Sequence, residues 1–384
     1  MGKHKGLKFL SKFGVVAVVL FVLLSFNWDR IELESRAFVV TIGIDVAKDD
    51  DKPFEVSMNI SDTAAMEQGG DENPVVKRNA SGESLAHAMG QVEAKISDKI
   101  YYGHTKAVVI GAEVLEDSDL LREVIDTLSR KNDINIKCII MATDKTAAEI
   151  LAAQPQEQGL LGVYLASFYN SNNANTASSV VKLDLEGLIV SLRAGQSAVI
   201  PKITLEGEGD EEEVTIGGVA VVRDFARVGY IDEEDMRGFL WLTENGAGTQ
   251  IAIETESGHT TMLTSKSRAR MDFYEEGGRL HCLARLNVEG SIEGALFMEE
   301  QLFDADNLAA LEERFAGKIQ GEMEDIFRIL QKDFAVDGFG LKEKLRKKQW
   351  GLYQKYEEDW PLAYDEMIFV ARVDLTIRNT GAVK

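Results

Sequence analysis

Apolar positions recur along this chain with the two-residue spacing of strands and the three-to-four-residue spacing of helices. In the first half, β-rich runs at 37–45 and 54–60 flank an acidic turn, which predicts a hairpin with a long loop. Apolar steps of four, three and four from Leu85 to Ile96 predict a helix over 83–98. Strands and helices continue to alternate, so we expect a sheet covered by helices. The further elements are predicted at 107–110 (strand), 119–129 (helix), 134–141 (strand), 183–192 (helix) and 197–204 (strand).

The second half begins with two more predicted hairpins. Strands at 215–222 and 228–231 flank a short turn, and Asp232 is placed to cap a helix over 233–242. Acidic residues in the first turn of that helix suit its dipole. A later pair of strands, at 266–274 and 279–292, flanks a Glu-Glu-Gly-Gly turn of the type that needs positive φ.

The longest helical pattern lies near the C-terminus. Apolar residues step by three or four over roughly seven turns, which predicts one helix with a continuous apolar face. Gly338 and Gly340 are predicted to end it, and a shorter helix over 349–359 and a strand over 368–377 close the chain. The residues of the apolar face are Leu308, Leu311, Phe315, Ile319, Met323, Ile326, Leu330 and Phe334.

Two polar segments indicate how the chain is divided. The run at 169–179 is too poor in apolar residues to offset its ordering entropy, so a mobile loop is predicted. Residues 206–213 combine glycine with like charges, which favours an extended acidic linker.

The predicted fold class is α+β, with mixed sheets flanked by helices in two halves. The predicted divisions are a signal or anchor segment at 1–28, an N-terminal α/β domain at 29–205, the linker, and a C-terminal α+β domain at 214–384.

The N-terminus has the pattern of an export signal. Four lysines within the first twelve residues precede an uninterrupted apolar stretch from Phe13 to Phe26. Those fourteen residues are fewer than the ~20 that cross a bilayer comfortably, so a cleavable export segment is favoured over a stable span, which stays possible with snorkelling lysines. The positive-inside rule places everything after Trp28 outside the cytoplasm.

Charge and cysteine content narrow the choice of partners. The chain has 64 acidic and 42 basic residues and a net charge of −22, so its long-range field disfavours nucleic acid and anionic lipid over a broad face. A local basic patch remains possible. Cys138 and Cys282 lie far apart in predicted strands, where buried free thiols are favoured over a disulfide.

Signatures of catalysis or cofactor binding are missing from the sequence. There is no nucleophile elbow, phosphate loop, His-Glu-x-x-His or Cys-x-x-Cys motif, so no enzyme activity, cofactor or metal is predicted. His104 and His87 could serve as general bases, but no nucleophile motif lies near either, and a structural role is favoured. The acidic run at 49–51 lacks the ligand spacing of a calcium loop and is interpreted as a solvated turn.

Several segments together resemble one family, the C subunits of the nutrient germinant receptors of bacterial endospores, known as the GerC family. The resemblance begins at Trp28-Asp29-Arg30 and continues through TIGID at 41–45 and GHTKAVVIG at 103–111. It is densest at GGVAVVRD (217–224) and VGYIDEEDMRGFLWL (228–242). Asp337-Gly-Phe-Gly340, Trp360 and VDLTIRNTG at 373–381 complete it. Their order and spacing make the resemblance specific.

The resemblance implies a multi-domain α+β protein without catalytic activity, assembled with A and B subunits at the spore inner membrane. The family motifs mark five positions that we expect to matter most: Gly217, Gly218, Asp232, Arg237 and Trp241. The glycines permit close backbone approach, and Trp241 and Phe239 are interpreted as core anchors. A structural role is favoured over a ligand site at these positions.

The sequence departs from the family at one position. Family members resemble lipoproteins, with a Cys directly before the Trp-Asp pair, where a lipid is added after export. This chain has Asn27 there, so lipidation at that residue is impossible, and Phe26 replaces the small residue that such cleavage sites prefer. Attachment to the membrane would then depend on the Phe13 to Phe26 stretch or on partner subunits.

Three hypotheses for function follow. The favoured one is a receptor subunit that acts through protein contacts and signal relay. The second is an extracytoplasmic module that binds a small germinant or an ion in a cleft between the two halves. The third is an exported hydrolase whose active site matches no motif.

Overall fold

A computed structural model describes residues 36–49, 51–61, 75–153, 160–170, 181–195, 197–207, 213–243, 246–255, 258–295 and 305–379. These residues form two β-sheets with helices packed on them, the two-part α+β arrangement predicted from the sequence. The predicted segment at 1–28 and the polar part of the loop beyond Asn170 lie outside the described residues, as does most of the acidic linker.

The first sheet has parallel strands at its centre and antiparallel strands at both ends. Its order is β3-β2-β1-β5-β6-β7-β8-β9, with β4 paired to β1. Strands β1, β5, β6 and β7 run parallel, while β2, β3, β8 and β9 pair antiparallel to their neighbours. The strands are β1 Arg36–Val46, β2 Phe54–Ser61, β3 Val75–Gly82, β4 Lys99–Tyr101, β5 Ala107–Ile110, β6 Ile139–Ala142, β7 Ser197–Glu206, β8 Glu213–Arg223 and β9 Ala226–Ile231.

Helices cover both faces of this sheet, as its apolar central strands require. Val108 and Ile110 of β5 belong to one apolar core, and Ala107 and Val109 to the other. Four of the helices pack into the first core (α1, α2, α3 and α6) and two into the second (α4 and α5). The helices are α1 Leu85–Glu93, α2 Ala112–Glu116, α3 Ser118–Arg130, α4 Ala147–Ala152, α5 Leu161–Asn170 and α6 Leu185–Gly195.

The second sheet has the order β10-β11-β12-β13, and its last strand runs parallel to β12. One face packs against the long helix α8 and the shorter α7, whose side chains fill a third core. The strands are β10 Gln250–Thr255, β11 Gly258–Glu276, β12 Arg279–Ala295 and β13 Ile368–Asn379. The helices are α7 Glu233–Leu242, α8 Ala305–Arg328, a π-helical continuation at Ile329–Asp333, α9 Leu341–Lys348, α10 Trp350–Tyr356 and α11 Trp360–Asp365.

Most strongly patterned predictions are confirmed. The hairpins β1–β2, β8–β9 and β11–β12 all form, and the last turns at Gly277 and Gly278 with φ of 61° and 77°. The β8–β9 turn lies at Asp224 and Phe225, one residue later than the turn at Arg223 and Asp224 that the sequence predicts. The long apolar stripe is buried along most of α8, since six of its eight residues are buried and Leu308 and Phe334 partly so.

Several element boundaries were wrong. Residues 134–138 form turns, and the predicted strand there is confined to β6. The long helix ends at Asp333 rather than at Gly338, because its last turn widens into a π-helix and Ala335 then adopts a φ of 52°. The helix predicted at 349–359 is shorter. Elements with weak patterns, including β3, β10, α5 and α9, were missed.

Strand pairing continues across the predicted linker. Strands β7 and β8 are antiparallel partners, with Glu206 opposite Glu213, so the first sheet includes residues from both predicted halves. The structure joins the two sides of this segment in one sheet, so a domain boundary at 206–213 stays a prediction.

Candidate functional site

Gly217 and Gly218 form a β-bulge where β8 passes the start of α7. Pro201 pairs with Val219 and Ile203 with Ile216, so two residues of β8 face Lys202 alone. Gly218 has a φ of 72°, and a Cβ there would overlap the carbonyl oxygen of Ile231. Position 218 therefore requires glycine for two reasons, the positive φ of its backbone and the lack of room for a side chain.

Lys202, the residue opposite the bulge, contacts two acidic side chains. Its Nζ lies 3.7 Å from Asp144 Oδ2 and 3.9 Å from Asp232 Oδ1, and it is held 5.4 Å from the Tyr230 ring centre. Asp232 occupies the N-cap position of α7, but its side chain makes no capping hydrogen bond. The predicted capping role was wrong, because this side chain is directed towards solvent and Lys202.

Arg237 and Trp241 meet on one carboxylate from the neighbouring helix. The guanidinium of Arg237 forms an ion pair with Glu322 Oε1, and Trp241 Nε1 donates to Glu322 Oε2 over 2.9 Å. Trp241 is fully buried, which confirms it as a core anchor, and the Glu322 side chain is 15% exposed. Glu322 thus joins α7 to α8 with both of its carboxylate oxygens.

Gly238 permits the close approach of these two helices. A Cβ at this position would overlap the backbone carbonyl oxygen of Glu322 and lie 2.8 Å from Ile326 Cγ2. Sequence reasoning did not single out Gly238 or Glu322. A glycine in the interior of an amphipathic helix was the sequence signal for a close contact at Gly238. Glu322 gave no signal, because it lies beside the apolar stripe, where a solvated residue is expected.

Asp45, the end of the TIGID motif, provides a similar link in the first half. Its Oδ1 accepts from the backbone N–H of Ala147 over 2.6 Å, and its Oδ2 from Ala148 over 2.9 Å, at the start of α4. Burial raises the pKa of this carboxyl to about 6, although the two hydrogen bonds oppose the rise. A Cβ at Gly111 would overlap Asp45 Oδ1, so glycine there leaves room for the carboxylate.

Asp337 repeats this arrangement in the second half. Its two carboxylate oxygens accept from the backbone N–H groups of Leu341 over 2.8 Å and Lys342 over 2.9 Å, at the start of α9. Gly340 supplies the left-handed residue just before that helix. The motif aspartates therefore act as helix caps supplied from outside the helix.

The two candidate bases have local partners. His104 is exposed and stacks on Phe38 with 4.7 Å between ring centres. The backbone N–H of Glu83 donates to His87 Nδ1 over 3.4 Å, and His87 Nε2 lies 3.0 Å from Gln91 Nε2. These contacts involve an aromatic ring, the backbone and an amide, so neither ring is paired with a nucleophile.

Cys138 and Cys282 are both buried and unpaired, as predicted. Cys282 lies in β12, whereas Cys138 directly precedes β6. Burial raises the pKa of each thiol to about 12, so both are unreactive at neutral pH.

A cluster of metal-ligating side chains and a membrane-crossing helix are both absent from the described residues. Within the described ranges, no three His, Cys, Asp or Glu side chains are grouped so that they could hold a metal ion. No helix in that part of the chain combines the length and apolarity needed to cross a membrane. In the acidic turn, Asp49 Oδ1 accepts from the N–H of Asp51, and both residues are exposed.

Comparison with known proteins identifies the family. Residues 29–205 match the model of the spore germination protein N-terminal domain, and residues 217–381 match the spore germination B3/GerAC-like C-terminal model. The chain belongs to the GerC family of spore germination proteins. The family resemblance stated from the motifs is therefore confirmed.

Two relatives and one solved structure extend this result over most of the GerC-family chain. Spore germination protein KC of Bacillus subtilis is 24% identical, with 96% of this chain and 95% of that protein aligned. Spore germination protein B3 of the same organism is 19% identical over 98% of this chain and 100% of that protein. The crystal structure of the GerBC protein superimposes with a TM-score of 0.59 at 15% identity, covering 88% of this chain and 97% of that one.

The five predicted positions of this GerC-family protein form two separate groups. Gly217, Gly218 and Asp232 surround the start of α7, and Arg237 and Trp241 face α8 one and two turns later. The two glycines, Arg237 and Trp241 serve close packing and helix contact, whereas the Asp232 side chain faces solvent and Lys202.

Proposed function

We propose that this protein is a non-catalytic subunit of a membrane-bound receptor for nutrient germinants in spores. It acts by assembly and signal relay with A and B subunits, on the extracytoplasmic side of the spore inner membrane. The observation that carries this proposal is the match of both family domains, in order, along almost the whole chain.

The geometry of two motif aspartates and of Glu322 supports a role through contacts. Asp45, Asp337 and Glu322 each use both carboxylate oxygens to hold backbone or side-chain donors within the protein. Carboxylates engaged in this way are not free to act as acids or bases towards a substrate. A rigid body whose surface contacts its partners fits this arrangement better than a hydrolase does.

The proposal is tested in spores of the source organism. Deleting the gene is expected to slow or abolish germination in response to at least one nutrient, and the full chain supplied in trans restores it. An epitope-tagged full chain is expected to co-purify with A-like and B-like membrane subunits. Normal germination with every nutrient, together with purification of the chain alone, would reject the proposal.

Membrane attachment is tested separately. Fractionation of spores followed by N-terminal sequencing of the mature chain is expected to find the protein in the membrane fraction, without lipid on Asn27. Recovery of a soluble protein that has been cut after Phe26 would exclude attachment through its own N-terminus. A thermal shift with an amino acid or sugar would favour the binding-module hypothesis, and the absence of any shift supports the relay role.

A further inference from the structure

The outer face of the second sheet carries a row of three arginines. The strand registers place Arg270 opposite Arg285, and Arg285 opposite Arg372. Their neighbours Met271, Ala284 and Ala371 are buried in the core, so the three arginines share the other, solvent-facing side. Like charges directly opposite each other destabilise a sheet, so this row is costly for folding alone.

The middle of the same face is basic. Over residues 266–272, 283–289 and 370–378 it carries six basic and three acidic side chains, in a chain whose net charge is −22. Towards its ends the face also carries Glu276, Arg279 and Glu293. We call the middle part the basic face. The basic residues are Lys266, Arg268, Arg270, Arg285, Arg372 and Arg378, all exposed, and the acidic residues are Asp272, Glu289 and Asp374.

Each ion-paired acid on the basic face contacts two basic side chains. Asp272 contacts both Arg270, at 3.3 Å, and Arg285. Glu289 lies 3.0 Å from Lys266 and 3.1 Å from Arg378, and these two bases lower the pKa of its carboxyl. Within the residues that the structure describes, Arg268 and Arg372 form no ion pair.

We propose that the basic face binds the headgroups of anionic phospholipids and orients the protein on the membrane. Guanidinium groups bind phosphate oxygens in a bidentate manner. The acidic remainder of the chain is repelled by an anionic surface, so a local basic face sets which side turns towards it. Tyr274, 39% exposed beside the row and stacked on His281, adds an aromatic group of the kind found at membrane interfaces. This inference rests on the proposed location at a membrane.

A fluorescent label on the basic face tests the contact directly. The full chain with Asn287→Cys is labelled with an environment-sensitive thiol dye, because the native cysteines are buried and do not compete. Mixed with phosphatidylglycerol vesicles, the dye is expected to shift its emission to the blue, and with phosphatidylcholine vesicles to shift much less. The matched control is Gly90→Cys, an exposed position on α1 with open space around it, whose dye is expected not to shift.

Charge removal gives a second readout. The triple variant Arg268→Gln, Arg285→Gln, Arg372→Gln is expected to lower the preference for anionic over neutral vesicles at least about ten-fold. Removing opposed like charges should leave the melting temperature unchanged or higher. The control triple Arg78→Gln, Lys95→Gln, Arg130→Gln changes the net charge equally on the first half and is expected to keep the preference.

The outcomes separate this inference from the proposed function. Flotation with the same vesicles gives a further readout. If the chain floats with both kinds of vesicle and neither the dye nor the arginine variant responds, attachment stands and the basic face has no lipid role. If the chain floats with neither vesicle, the lipid role fails, whereas the receptor proposal is decided by co-purification with A-like and B-like subunits, the other route of attachment. A dye that shifts with soluble polyglutamate and not with vesicles would assign the face to an acidic protein and overturn lipid binding.

Discussion

The indole Nε1 of Trp241 donates to Glu322 Oε2 over 2.9 Å, across the contact between α7 and α8. The other oxygen of the same carboxylate is paired with Arg237. These helices share a core with the second sheet, so this single carboxylate links two motif residues to the longest helix of the protein.

Loss of that carboxylate should destabilise the protein. Glu322→Ala leaves the indole N–H and a largely buried guanidinium without their partner, so we expect a loss of about 2–4 kcal/mol in the free energy of unfolding. Urea denaturation measures it. Glu324→Ala, on the exposed side of the same helix with Gln320 as its hydrogen-bond partner, is the control and should change stability by less than about 0.5 kcal/mol. Equal losses in the two variants would contradict a special role for Glu322.

Glycine-to-alanine changes on the two facing helices should have opposite signs. Gly238→Ala places a methyl group against the carbonyl oxygen of Glu322, so it should cost about 1–3 kcal/mol through overpacking. Gly317→Ala and Gly321→Ala on α8 have open space around the new methyl group and should stabilise by about 0.5–1 kcal/mol. Thermal unfolding monitored by circular dichroism gives the sign, and a neutral Gly238→Ala would show that the helices can separate without cost.

The bulge glycine should be more sensitive than the turn glycine of β11–β12. Both Gly218 and Gly277 have positive φ, and alanine costs about 1–2 kcal/mol in that conformation. A methyl group at 277 meets nothing, whereas one at 218 overlaps the Ile231 carbonyl oxygen. We therefore expect Gly218→Ala to lose about 1–3 kcal/mol more than Gly277→Ala in urea denaturation. Similar losses would mean that backbone strain alone explains the glycine.

The buried carboxyl of Asp45 predicts a pH dependence of stability. Its pKa is raised to about 6 in the folded protein, so its contribution is fully present below about pH 4 and is lost as the pH rises through 6. The stability of the native protein relative to Asp45→Asn should therefore fall by up to about 3 kcal/mol between pH 4 and pH 7. Unfolding curves at several pH values measure this difference.

Glu149 on α4, the helix that Asp45 caps, provides the contrasting control. Hydrogen bonds from the Thr146 side chain and backbone lower the pKa of its carboxyl, so its contribution is present at neutral pH and is lost as the pH falls. Comparing Glu149→Gln with the native protein should give a slope of the opposite sign. The same slope for both variants would show that Asp45 is not the origin of the effect.

Sequence patterns predicted the elements whose burial is periodic. Local spacing and turn chemistry determine the apolar stripe of α8, the hairpin at Gly277 and Gly278, and the boundaries of β5 and α7. These features can therefore be predicted without knowing which segments pack against them. Elements with weak patterns, such as β3 and α9, were missed because their burial comes from contacts with distant segments. The five motif positions were named from resemblance, and their separation into two groups was not visible in the chain.

What the sequence determined by itself is the family, the α+β class and the two core cysteines, because ordered motifs and apolar periodicity are properties of the chain alone. The tertiary structure decided three relationships. They are the pairing of Glu322 with Arg237 and Trp241, the capping of α4 by Asp45, and the row formed by Arg270, Arg285 and Arg372. Each joins residues from separate elements. The register of a strand and the crossing of two helices set those distances, and neither can be read from the spacing of residues along one chain.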